Sequence, residues 1–327
     1  MKIKDILKED ENELDVTLLQ KIIDSRFFKL NWKPIIDQLR NEQNKTSYVV
    51  LPDKDTLPAL YHGGKLLHNE VNMIKYRNTT LDTPKLIHNT INQLSEKKFG
   101  VPIRNMMFST KVESRSAEYG KTFLVIPLEE DYQFYYSDRV DDLYTSPLLF
   151  NQFRYNDTLS DIFEIAFKKI NYKYSMKFIN FITDNIDQSG ILYNAFKLRN
   201  LKSFDEISEY LNKESIKSVE DELKFLLSNN EEIDNDPPDI DFFNLAKIML
   251  QELVNHRKKW IMENAKQYVD SIESTQYLND IAPDYTEVLL PEGKYAVFAI
   301  VSGGLDTKVF YKIVNYYINS LGVKNEN

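Results

Sequence analysis

Two glycine-bordered stretches hold the side chains best placed to do chemistry. In the first, Tyr61-His62 closes a short apolar run and Gly63-Gly64 follows at once. In the second, Asn105 to Leu143, an apolar strand at Met106-Met107-Phe108 breaks into a polar run that begins Ser109-Thr110. It then opens a short helix at Ser-Ala-Glu-Tyr-Gly and returns through Thr122 to Pro127. Two glycines directly after a strand let the backbone approach a bound molecule, because no Cβ stands in the way. Gly120, after Tyr119, reads as a helix C-cap. A strand, turn, short helix and second strand can hold one side chain against a pocket wall. Ser109, Thr110 and Tyr119 are therefore candidates for a nucleotide pocket, and the same residues also describe an ordinary hairpin with a tyrosine packed over it.

Other chemistries are narrowed by what the chain lacks. It has no cysteine, which removes disulfides, thiolate nucleophiles and cysteine-based zinc sites. The four histidines, His62, His68, His88 and His256, include no pair at the helix-face spacing of a zinc site, so no metal is expected. His88 falls on the polar side of a predicted helix and His256 on a packed stripe, both structural positions. His62 differs, because it ends a strand beside two glycines. Ser302-Gly303-Gly304 precedes the last helix but lacks the Lys-Ser/Thr of a phosphate-binding loop, and a turn into the helix explains it.

With 42% hydrophobic and 13% aromatic residues, including 20 Tyr and 19 Phe, 327 residues can bury a substantial core. No run approaches the roughly 18 uninterrupted apolar residues of a membrane helix. The charged N-terminal stretch has no signal-peptide core, so a cytoplasmic protein without membrane contact is expected. A net charge of −9 argues against broad nucleic-acid binding, while leaving room for a local basic cleft around Arg77, Lys97, Lys98, Arg104 and Lys111.

The elements that must position these groups follow from periodicity. Residues 14–30 read as an amphipathic helix and 35–39 as a second helical piece. Strands are predicted at 47–51, 59–62, 73–79, 106–108, 122–127, 131–136, 287–291 and 294–301. Thr83 and Pro84 open a helix that stops before Gly100. From about Asn151 the period turns helical, over 157–170, 174–183, 191–201, 205–227 and 241–271, with an acidic, proline-interrupted loop at 229–239. A helix over 306–321 closes the chain. Strands on either side of a helical block predict an α+β chain. Residues 1–45 form an N-terminal helical extension, 46–150 and 282–327 two parts of one core, and 151–281 a helical insert.

Taken in order, Tyr61-His62-Gly63, Phe108-Ser109-Thr110, Ser116-Ala117-Glu118-Tyr119-Gly120 and Glu287-Val288-Leu289-Leu290 resemble the ADP-ribosyltransferase superfamily, whose members split NAD and move ADP-ribose to a target. The segment from Arg77 to Leu143 also resembles an uncharacterised family of tailed phages. The superfamily resemblance implies a split antiparallel β-sandwich. It makes NAD the substrate that takes the cofactor's place, and a macromolecule, protein or nucleic acid, the acceptor. His62 would hold the adenosine ribose, the Gly63 backbone the nicotinamide amide, and Tyr119 would stack on the nicotinamide ring. Glu287 would be the catalytic carboxylate, with His62 beside it. Ser109 and Thr110 line the pocket, and Arg77, with Arg104, is a candidate for the pyrophosphate. For both arginines the competing expectation is a surface ion pair. Met107 stands where the His-type branch carries a tyrosine, and the middle motif is closer to the Arg-type branch. The function implied is mono-ADP-ribosyl transfer, for a phage-encoded enzyme in the host cytoplasm. The alternative is an inactive fold of the same type serving as a binding, virion or host-inhibitor protein.

Overall fold

The computed structural model describes residues 15–43, 57–66, 70–77, 85–137, 139, 155–170, 180–183, 203–209, 213–228, 240–282, 287–300 and 305–322. The strand expected at 47–51, the helix at 191–201, the acidic loop at 229–239, most of the helix at 174–183, the Thr83-Pro84 helix start, His68 and Ser302-Gly303-Gly304 lie outside them. The chain divides into two units, one built from residues 1–78, 103–142 and 271–327 and the other from 79–102 and 143–270.

Among its described residues the first unit carries eight strands: β1 (Tyr61–Gly64), β2 (Glu70–Ile74), β3 (Met107–Thr110), β4 (Lys121–Pro127), β5 (Phe134–Tyr136), β6 (Glu273–Thr275), β7 (Glu287–Leu290) and β8 (Gly293–Ala299). They form one open antiparallel sheet in the order β2-β8-β4-β1-β3-β7-β5-β6. β4 and β8 read as continuous apolar runs because they are central and covered on both faces. β2 is an edge strand, and its Val71 and Met73 are exposed. The sheet also takes in β6, which the sequence reading leaves inside the helical insert. Three residues are too few to show a period, and pairing with β5 (Phe134 opposite Thr275) makes them a strand.

Among the described residues, three helical pieces precede the sheet. Asp15 caps α1 (Val16–Asp24) by accepting from the Thr17 amide at 2.9 Å. A π-helical turn, Phe28–Trp32, leads into α2 (Lys33–Gln43). The single helix expected over 14–30 is therefore broken at Ser25, whose hydroxyl donates to the Ile22 carbonyl and accepts from the Phe28 amide. Phe27, Phe28 and Trp32 are fully buried and meet edge-on, and Trp32 lies 4.9 Å from Phe310 of the closing helix, Leu305–Gly322. These aromatics share one core with Tyr61, Met107, Leu124, Val288 and Phe298 of the sheet.

The second unit is helical in its described residues: α3 (Lys85–Phe99), α5 (Tyr155–Lys169), α6 (Phe204–Glu209), α7 (Lys213–Ser228) and α8 (Phe242–Ser271), where α4 (Glu113–Ala117) is a short helix of the first unit. α3 ends on Gly100, at φ +77° and with its amide on the Glu96 carbonyl, a left-handed cap that favours glycine. Phe163, Phe167, Leu223, Leu245, Met249 and Leu253 make this unit's core. Two histidine expectations are corrected here. His256 is exposed, because the buried stripe of α8 drifts from Leu253 and Val254 to Ile261 and Ala265. His88 is buried rather than on a polar face, because α3 buries a wide arc that includes Thr90, Asn92 and Ser95.

Candidate functional site

β1 pairs with β4 along its whole length, from Tyr61 opposite Leu124 to Gly64 opposite Lys121, but with β3 at a single position, Tyr61 opposite Thr110. Beyond that position the Phe108 carbonyl is taken by a side chain: His62 Nδ1–H donates to it at 2.6 Å. A carbonyl only accepts, so Nδ1 carries the proton and the neutral ring keeps its lone pair on Nε2. Burial lowers the His62 pKa, the Phe108 carbonyl opposes that, and the nearby Arg77 charge adds to the lowering. The imidazole is thus neutral near pH 7, with Nε2 an acceptor for a hydroxyl.

Gly63 owes its identity to the turn that follows β3. A Cβ built there would stand 1.9 Å from the Ser116 carbonyl oxygen and 2.9 Å from Tyr119 Cβ. The turn is held by its own polar groups. Thr110 Oγ1 accepts from the Val112 amide, and Ser116 Oγ bonds the Glu113 carbonyl and Thr122 Oγ1. α4 occupies Glu113–Ala117, so it ends before Tyr119, whose amide still reaches the Ser116 carbonyl at 3.1 Å. Tyr119, whose Cβ sits against Gly63, is 62% exposed, so solvent or a ligand can reach its side chain.

Across β3, Glu287 pairs with Thr110, and cross-strand partners share a face. Glu287 Oε2 lies 3.5 Å from Arg104 Nη1. Arg104 is buried, and its guanidinium stands 4.5 Å from the centre of the Phe108 ring. Arg77 stands 4.3 Å from the same ring, and its amide donates to the Asn105 carbonyl. The expected surface ion pair is therefore, for Arg104, an interior one with Glu287.

Strand alternation separates the Ser109-Thr110 pair. Phe108 and Thr110 share the face of Glu287, while Ser109 and Met107 pair with Val288 and Leu290 of the core. Ser109 is 5% exposed, and its hydroxyl has no hydrogen-bond partner among the described residues. Met107 packs in the core, so the side chain at that position does not face Glu287. Thr110 and Glu287 face one side of β3 and Ser109 the other, while on β1 the Gly63 position meets Tyr119 and His62, the preceding residue, points to the opposite face.

Of the other basic residues, Lys111 turns its ammonium to the carbonyls of Leu278 (3.0 Å) and Ile281 (2.7 Å), and burial lowers its pKa. Lys98 caps the end of α8 through the Val269 and Asp270 carbonyls. Sequence reasoning also misses Asn31. Its Nδ2 donates to the Phe27 carbonyl, Tyr132 Oη and the Gln276 carbonyl, and its Oδ1 accepts from the Leu278 amide at 2.7 Å. Asn31 and Lys111 together pin residues 276–281, the segment leading to β7. No spacing in the chain signals these contacts, which join Lys111 and Asn31 to residues 167 to 247 positions away. Among the described residues no three His, Asp or Glu side chains form a metal-binding group.

Comparison with protein-family models, curated proteins and solved structures finds no match.

Proposed function

We propose that this chain transfers ADP-ribose from NAD to a macromolecular acceptor. The observation that carries the reading is the close approach at Gly63: glycine backbone closed against the Ser116–Tyr119 turn, with the exposed Tyr119 beside it and neutral His62 next in sequence. Glycine there lets the turn close on β1, and Tyr119 supplies a face for a cationic ring. His62 Nε2 is suited to accept from a ribose hydroxyl. Glu287, on the strand beyond β3, is the carboxylate of this reading.

In the reaction the bond from ribose C1′ to the nicotinamide nitrogen breaks and nicotinamide leaves with the bonding pair. An acceptor nucleophile forms the new bond at C1′ and gives up its proton. Positive charge develops on the ribose as the bond breaks, and a fixed carboxylate stabilises it. β1 and β3 pair at a single position within the one sheet, and that short junction is where a split of the ADP-ribosyltransferase type would fall. The phage resemblance makes a host protein or nucleic acid the acceptor, and the net charge favours protein.

A binding module of the same type with no turnover is the second reading. Met107, standing where the His-type branch carries a tyrosine, favours it. Incubating the purified chain with labelled NAD and a cell lysate tests the two. Label on a macromolecule is expected; a chain that neither binds nor consumes NAD overturns the enzyme reading.

A further inference from the structure

Arg104 belongs to a 3-10 turn, Ile103–Asn105, directly ahead of β3. The turn is closed by the Met106 amide on the Ile103 carbonyl and tied from outside by the Arg77 amide on the Asn105 carbonyl. The Arg104 side chain is 8% exposed, and its guanidinium carbon lies 4.5 Å from the centre of the Phe108 ring. Its Nη1 meets Glu287 Oε2 at 3.5 Å, within ion-pair range but beyond a usual hydrogen bond. The contact is an electrostatic hold and falls short of a tight two-point clamp. Glu287 is 20% exposed, so its carboxylate is partly shielded by protein yet reachable.

We propose that Arg104 is a positioning residue for Glu287, orienting its carboxylate for turnover through a buried guanidinium held beside Phe108. The proposal rests on the reading that Glu287 is the working carboxylate. A carboxylate acts through preorganisation only if its own orientation is held by a rigid neighbour, and here a buried cation against an aromatic ring contacts it. It differs from a role for Arg104 on the NAD pyrophosphate, which would act on substrate binding. It differs also from a purely structural ion pair, which would act on stability alone.

The test uses the full chain and separates kcat from KM for NAD cleavage in Arg104→Met and Arg104→Lys, each alone and in a Glu287→Gln background. Arg104→Met is expected to lower kcat by about 10–100-fold, the usual loss for a group that orients a reacting one, with KM within about twofold. Arg104→Lys is expected to retain part of that loss, because it restores charge without the planar guanidinium. In the Glu287→Gln background Arg104→Met is expected to cost nothing further, since the group it orients has lost its charge. A raised KM at full kcat, an equal loss in both backgrounds, or unchanged kinetics would each overturn the proposal. If Arg104→Met does not fold, Arg104→Lys with a native circular dichroism spectrum decides alone: a several-fold lower kcat at unchanged KM supports the proposal, and wild-type kcat overturns it. A wild type without NAD turnover removes the enzyme reading and this inference with it. An active wild type indifferent to Arg104 removes this inference only.

Discussion

The His62 imidazole replaces a strand ladder: its Nδ1–H holds the Phe108 carbonyl at 2.6 Å, just past the one position where β1 and β3 pair. The sheet can part there without leaving that carbonyl unsatisfied, which would otherwise carry a desolvation cost. The same bond settles which ring nitrogen stays open to a ligand.

Stability should report the neutral state of His62. Burial holds its pKa below the ordinary value of 6.5 in the folded chain. Between 6.5 and that lower value the unfolded chain binds the proton and the folded chain does not. The stability that neutral His62 contributes is therefore complete above about pH 6.5 and is lost as pH falls through the folded value. Urea unfolding at neutral and mildly acidic pH should show a steeper loss in the wild type than in His62→Gln, and matching pH slopes would contradict the assignment.

Gly63→Ala should be disruptive for a small change. Its Cβ meets a backbone oxygen at 1.9 Å, so the Ser116–Tyr119 turn must move. Overpacking of this kind costs on the order of 1–3 kcal/mol, and a thermal melt should show a clear drop. NAD binding, measured by titration calorimetry on whatever fraction remains folded, should be lost as well. A variant with native stability and native binding would remove the close approach at Gly63 from the proposed function.

Glu287→Gln and Tyr119→Ala should separate chemistry from binding. The amide is nearly isosteric with the carboxylate, so NAD binding should persist while labelling falls by about 10²–10³. Tyr119 is 62% exposed, so its truncation should change stability by no more than about 0.5 kcal/mol while weakening NAD binding. Undiminished labelling by Glu287→Gln would place the catalytic carboxylate elsewhere.

Residues 276–281 should loosen when either of their two anchors is removed. Lys111→Met strips the donor from the Leu278 and Ile281 carbonyls, and Asn31→Ala removes the contacts to Gln276 and Leu278. Each should cost about 1–3 kcal/mol, the range for leaving buried polar groups unmet. Both act on Leu278, so the double variant should depart from additivity. Amide hydrogen exchange of a peptide spanning 276–281 should speed up in each single variant; unchanged exchange would mean the segment is held by other contacts.

Local pattern by itself determined much of the fold. The apolar runs at 122–127 and 294–301, the thirty-residue helix Phe242–Ser271 and the helix stop at Gly100 depend on residues a few positions apart, and each lies where the sequence places it. The glycine after His62 was also legible as a place of close approach. Tertiary structure decided the rest, because burial and register belong to pairs of segments. β6 is a strand only because β5 lies beside it. His88 is buried by the width of the packed arc on its helix, which a count of polar neighbours does not reveal. Ser109 and Thr110 are adjacent in sequence, yet the pairing of β3 with β7 sends one to the core and the other toward Glu287. Arg104 and Glu287 are separated by 183 positions, and an ion pair of two side chains that distant exists only once β3, which follows the Arg104 turn, is in register with β7, which carries Glu287.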